Sequence, residues 1–184
     1  MINDYPIFTY GLGDNINDKL NDIIINNIKD PSVRVIDKTI GRRTRWTLHH
    51  IEIKEVQLIV NWITHLTPQI CQHFIRNPQR KDDIQDPGFN PYWLKIVEMW
   101  GLHYKKGESL NIHNHFPFTL SFCYAVRCLR GSSPLVVNNK RMNLKESQMV
   151  VFPSDRYHYV PPNRSEERTV LVGNLLYCPP LADF

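Results

Sequence analysis

The chain has 184 residues, 42% of them apolar and 11% aromatic, enough for one folded core and too apolar for a disordered segment. A net charge of +4 is too small to argue for nucleic-acid binding by itself. No apolar run approaches the ~20 residues that span a bilayer, and the opening MINDYPIF lacks the basic and apolar regions of a secretory signal. Cys71, Cys123, Cys128 and Cys178 have no C-x-x-C spacing and read as reduced thiols of a soluble cytoplasmic protein.

Residues 1–184 are expected to form a single domain. A support region of helices and strands occupies 1–91 and a β-rich core occupies 92–178. Asp14 or Asn15 caps a first helix running to about Lys29, whose stripe is Ile16, Leu20, Ile23, Ile24 and Ile28, and Asp30-Pro31 ends it. Residues 32–36 and 44–53 alternate as strands do. Residues 55–75 repeat apolar positions at helical spacing around Pro68, which should kink or split the helix. Residues 77–90, with Pro78 and Pro87, read as a loop. Short strands follow at 93–104, 109–115, 119–128, 135–138, 149–152, 157–160 and 169–176. Short strands broken by turns at this interval predict a sandwich or barrel, here a jelly-roll-like double sheet with the helices packed on it.

The chemistry gathers in NIHNHFPF, residues 111–118. On an extended segment His113 and His115 share a face, and two imidazoles at that spacing can hold one ion of iron, zinc, copper or nickel. Alone, the pair is more often an ordinary polar pair. His158, within the Pro-bounded FPSDRYHYVPP, and Arg168, opening RTVLVGNLLY ten residues later, extend it into a connected pattern. Upstream, WGLHYKKGESLNIH adds Tyr104 and Gly107.

In these four segments the chain resembles the Fe(II)- and 2-oxoglutarate-dependent oxygenases with a double-stranded β-helix core, in their prolyl-hydroxylase-like branch, which includes small phage members. The resemblance covers about residues 93–177. It implies a hydroxylase, cytoplasmic in a cell or in an infected host, that uses Fe(II), 2-oxoglutarate and O2. It puts the metal on His113, His115 and His158. It puts the far carboxylate of 2-oxoglutarate on Arg168, whose guanidinium can grip it through two parallel hydrogen bonds, with Tyr104 and Tyr124 as further co-substrate hydroxyls. The chain departs from the family at the middle ligand, where His115 stands for the usual Asp or Glu. Two rival readings follow from that departure: a cupin-like three-histidine metal enzyme that does not use 2-oxoglutarate, and a non-catalytic β-helix module for binding or virion assembly.

The remaining candidates have plainer readings. His49 and His50, adjacent on an expected strand, face opposite ways. His65 and His73 lie about two helical turns apart, too far for joint ligation. His103, Trp93 and Trp100 read as structural, and Asp155-Arg156 as a salt bridge. Lys81, Asp82 and Asp83 read as solvated loop. Arg42, Arg43 and Arg45 beside Trp46 suit phosphates and bases, but a solvated turn is the commoner meaning of such a cluster. A protein side chain, a nucleobase and a small molecule all remain open as substrate, as does the oligomeric state.

Overall fold

The computed structural model describes residues 5–11, 16–28, 42–75 and 90–179. The expected caps at Asp14 and Asp30, the strand at 32–36 and most of the loop at 77–90, with Lys81 to Asp83, lie outside the described residues.

The elements run β1 (Ile7–Thr9), α1 (Ile16–Ile28), β2 (Arg42–Arg43), a 3-10 turn (Leu48–His50), α2 (Lys54–Ile75) and a second 3-10 turn (Pro91–Trp93). Then come β3 (Leu94–Lys105), β4 (Leu110–His113), β5 (Leu120–Cys128), β6 (Leu135–Val137), β7 (Lys140–Met142), β8 (Gln148–Pro153), β9 (His158–Val160) and β10 (Glu167–Tyr177). They form a six-stranded sheet in the order β1-β8-β5-β10-β3-β2 and a four-stranded sheet in the order β4-β9-β6-β7, with every strand pairing antiparallel. This is the expected jelly-roll, a double-stranded β-helix with two helices on the larger sheet.

The larger sheet is covered on both faces, which explains the nearly unbroken apolar run of β5, LSFCYAVRC. Alternation sorts its residues. Met99, Phe122, Tyr124, Val126, Leu171 and Leu175 pack under the helices with Leu20, Ile24, Ile59 and Ile63. Trp100, Leu102, Tyr104, Cys123, Val150 and Val170 point into the space between the sheets. The first helix lies close because Gly101 has no side chain: a Cβ there would stand 2.6 Å from Cγ1 of Ile24. It is also tied to the sheet, since Asn17 donates to Ser147 Oγ and Asp18 pairs with Arg127.

Pro68 lies within α2 and does not split it. Its missing N–H leaves the Thr64 carbonyl without its helical donor, and the Thr67 hydroxyl donates to that carbonyl instead at 2.8 Å.

Three elements differ from expectation. Residues 44–53 are not a strand. The Thr44 hydroxyl takes the Gly101 N–H at 3.0 Å, a single bridge joins Thr47 to Met99, and the chain then turns into a 3-10 helix. His49 and His50 therefore do not point to opposite faces; their rings lie 3.9 Å apart between centroids. The β6–β7 hairpin turns on Asn138 and Asn139, both at positive φ (45° and 63°), as a two-residue turn between twisted strands requires. Trp93 closes a 3-10 turn, because Asn90 Oδ1 caps the Tyr92 N–H and Pro91 supplies its first residue.

Candidate metal centre

Strand pairing brings the histidines together. His113 ends β4 directly opposite His158, which begins β9. His115 lies beyond the end of β4, so the shared strand face expected for the pair is not what aligns it. Its backbone N–H instead donates to the Ser154 carbonyl at 2.7 Å, and its own carbonyl accepts from Phe118 N–H at 3.0 Å. These bonds turn the chain so that His115 Nε2 comes 3.1 Å from His113 Nε2. One ligand nitrogen from each of the three rings lies within 4.8 Å of the others. Two nitrogens bound at a right angle to one ion, each at ~2.1 Å, stand ~3.0 Å apart, so the closer pair already has ligand spacing.

The tautomers suit ligation. His113 Nδ1 lies 2.8 Å from the Asn111 carbonyl and His158 Nδ1 lies 3.0 Å from the Arg156 carbonyl. A carbonyl only accepts, so each Nδ1 holds the proton and each Nε2 keeps its lone pair. Burial lowers all three histidine pKa values, and neighbouring rings lower two of them further: His115 falls to about 3 and His158 to about 4. At neutral pH the rings are uncharged ligands. Behind His115, Asn174 is fixed by donating to Glu98 Oε2 at 2.8 Å and accepting from Ser121 Oγ at 2.9 Å, and it favours the protonated ring.

The same cavity runs inward between the sheets, past Trp100, Leu102 and Leu110, to Tyr104 and Arg168. Register places Arg168 opposite Tyr104, and the guanidinium stands 5.2 Å over the phenol ring. Arg168 is 2% exposed and Tyr104 fully buried. Among the described residues neither Nη1 of Arg168 nor the Tyr104 hydroxyl has a hydrogen-bond partner. Burial pushes the Tyr104 pKa well up, against the opposing pull of Arg168, so the hydroxyl stays a donor. The nearby Arg127 is the one that takes the carboxylates of Asp18 and Glu167.

Of the residues named from sequence, His113, His115, His158, Tyr104 and Arg168 therefore meet in one cavity. Tyr124 does not join them. It occupies the opposite face of β5, donates to Asn17 Oδ1 at 2.8 Å and packs edge-on against Trp62. Its neighbour Cys123 faces the cavity. Trp100, read as plain core, stacks on His115 with ring centroids 5.6 Å apart and planes at 17°. The signal was available, since Trp100, Leu102 and Tyr104 share one face of β3 at a period of two. Elsewhere His103 bonds Thr169 Oγ1 at 2.9 Å, His65 bonds the Asn61 carbonyl, and Asp155 pairs with Arg156 at 3.4 Å. All four cysteines are free thiols, and among the described residues no helix is long and apolar enough to cross a membrane.

No protein-family model matches the chain, and no curated protein matches it in sequence. Solved structures do match. The chain is similar to viral collagen prolyl hydroxylase from Paramecium Bursaria Chlorella virus-1, in its 2OG complex, with TM-score 0.64 and 13% identity over 95% of this chain and 96% of that one. A Pseudomonas putida prolyl-4-hydroxylase gives 0.68 at 14% identity, covering 97% and 95%. A Burkholderia pseudomallei oxidoreductase of the 2OG-Fe(II) oxygenase family gives 0.51 at 15%, covering 69% and 58%. The protein thus shares its fold with prolyl hydroxylases and 2OG-Fe(II) oxygenases; at these identities the likeness is one of fold.

Proposed function

We propose that this protein is a 2-oxoglutarate-dependent oxygenase, a hydroxylase of the phage-like kind, that holds Fe(II) on His113, His115 and His158. The observation that carries this reading is the pair of buried, unpartnered polar groups, Arg168 Nη1 and Tyr104 Oη, in the cavity the histidines close. A buried cation without a counter-charge is costly, and a carboxylate is the group that completes it. The donor set fits a divalent first-row ion, since neutral imidazoles suit iron.

With iron and 2-oxoglutarate bound, the chemistry supplied is reduction of O2: one oxygen atom enters a substrate C–H bond as hydroxyl, the other ends in succinate, and CO2 leaves. The chain's own residues do the holding. Arg168 would grip the far carboxylate and the Tyr104 hydroxyl would donate to it. The Asn111 and Arg156 carbonyls keep two ligand rings in the right tautomer, and Trp100, Leu102 and Val170 keep water out. The inner slot is about 30 Å³, room for one or two waters. A five-carbon diacid must therefore part its walls, and the irregular β4–β9 pairing is the weaker side.

The all-imidazole donor set favours one second reading, a three-histidine metal enzyme that does not use 2-oxoglutarate. Succinate formation from 2-oxoglutarate with Fe(II) and O2 separates the two. We expect slow turnover even without the natural substrate, abolished in Arg168→Ala while metal binding persists. Absence of Fe(II) binding by the wild-type protein overturns the oxygenase reading.

A further inference from the structure

In front of the histidines a second, open cavity of about 460 Å³ faces solvent. That is the size of a small-molecule site. It rests on the oxygenase reading to call this the substrate side, because His113 and His115 belong to both cavities.

Its walls are Trp46, Trp100, Leu110, Phe116 and Phe118, with the amides of Asn111 and Asn114. Among the described residues no Asp or Glu lines it, and one cation does, Arg43. Among the described residues Arg43 pairs with no carboxylate; its guanidinium stands 5.0 Å over the Trp46 ring. Partial burial lowers its pKa, yet an arginine stays charged in a protein. From Arg43 the aromatic wall is continuous. Trp46 stacks on Trp100 at 5.1 Å and 25°, and Trp100 stacks on His115 at 5.6 Å. The guanidinium stands at one end of this stack and the ligand ring of His115 at the other, and both line the cavity. An apolar trough whose described lining holds one cation and no acid selects for a negative charge.

We infer that the substrate is a small organic anion whose apolar body lies along Trp46 and Trp100, with a carboxylate or phosphate on Arg43 and the carbon to be oxidised at the His113–His115 end. The charged head fixes which carbon is presented, as a single positioned charge does in an otherwise apolar site.

The test is calorimetric binding to the metal-free full chain, without 2-oxoglutarate, of three probes of similar shape: 3-phenylpropionate, phenyl phosphate and the neutral 3-phenylpropanamide. At least one anion is expected to bind on the order of tenfold more tightly than the amide, and whichever binds better names the head group. Arg43→Gln should remove that preference and Arg43→Lys should keep most of it. Arg42→Gln, at an exposed position on the same strand, should change nothing. Binding should survive in Arg168→Gln, which places the anion outside the inner slot. Equal binding of amide and anions, no binding of any probe, an unaltered Arg43→Gln in a chain with wild-type circular dichroism, or loss in Arg168→Gln each overturns the inference. Since neither metal nor 2-oxoglutarate is present, failure here is separate from failure to form succinate.

Discussion

Arg168 shows at the scale of one residue how function and stability pull apart. Its guanidinium is buried beside Tyr104 with one nitrogen unpaired, an arrangement that a ligand-free protein gains nothing by keeping. Arg168→Met, similar in length and apolar, is expected to raise the stability of the ligand-free protein by about 1–3 kcal/mol while removing 2-oxoglutarate binding. Thermal unfolding and calorimetry read the two effects; a lower melting temperature would mean that Arg168 is a structural residue. At the metal, His115→Ala should weaken Mn(II) or Fe(II) affinity by about tenfold or more, since even residues behind a ligand are worth that much. Titration of the apo-protein measures it, and an unchanged affinity would show that His115 is not a ligand. The family resemblance, rather than the residue types alone, grouped His113, His115, His158, Tyr104 and Arg168, and these five line one cavity. It failed at Tyr124, where which face of a strand points to the site depends on how β5 pairs with β10, a register with a shift between Thr169 and Val170. Trp100 was undervalued because a buried tryptophan is usually core, and here it is both core and wall.

Among the elements, the contact of α1 with the larger sheet is the most sharply specified. Gly101→Ala would bring a methyl within 2.6 Å of Ile24, and such overpacking costs roughly 1–3 kcal/mol. Ile24→Ala opens a cavity in the wild-type protein but relieves the clash in Gly101→Ala, so the double variant should be more stable than the sum of the two single effects predicts. Denaturant unfolding of the four proteins completes the cycle, and simple additivity would mean that the helix shifts freely. The apolar periodicity of α1 and α2 and the strands of the core were legible, because burial of one or both faces is written into residue order. Residues 44–53 misled because alternation does not report side-chain capture of a backbone group, as Thr44 does with Gly101. The hairpin between β6 and β7 was missed although Asn138-Asn139 is chemically suited to its turn.

Across the whole molecule, the site is a neutral, partly buried cluster between two sheets, and that ties stability to pH. The folded chain holds His115 near 3 and His158 near 4, whereas in the unfolded chain each binds a proton near the ordinary value of about 6.5. As pH falls below about 6.5, the unfolded state takes up protons that the folded state refuses, so the stability of the metal-free protein declines between about pH 6.5 and 4 and is unaffected by these rings above about pH 7. Melting temperatures across that range should show the decline, and His115→Gln/His158→Gln should flatten it; an equal slope in the double variant would place its origin elsewhere. The layered β-helix was readable from strand spacing, and the resemblance grouped residues 113, 158 and 168, but the pairing that brings them together was not readable: β4 meets β9 in one sheet and β10 meets β3 in the other.

The central claim is that the three histidines and Arg168 form one site for a metal and 2-oxoglutarate. It is tested most directly by anaerobic calorimetry of 2-oxoglutarate against the Mn(II)-loaded protein. One equivalent should bind, with affinity that falls at least about tenfold in Arg168→Gln and is lost when the metal is removed. A metal-loaded wild-type protein that takes up no 2-oxoglutarate, or takes it up equally well with Arg168 replaced, would contradict the account.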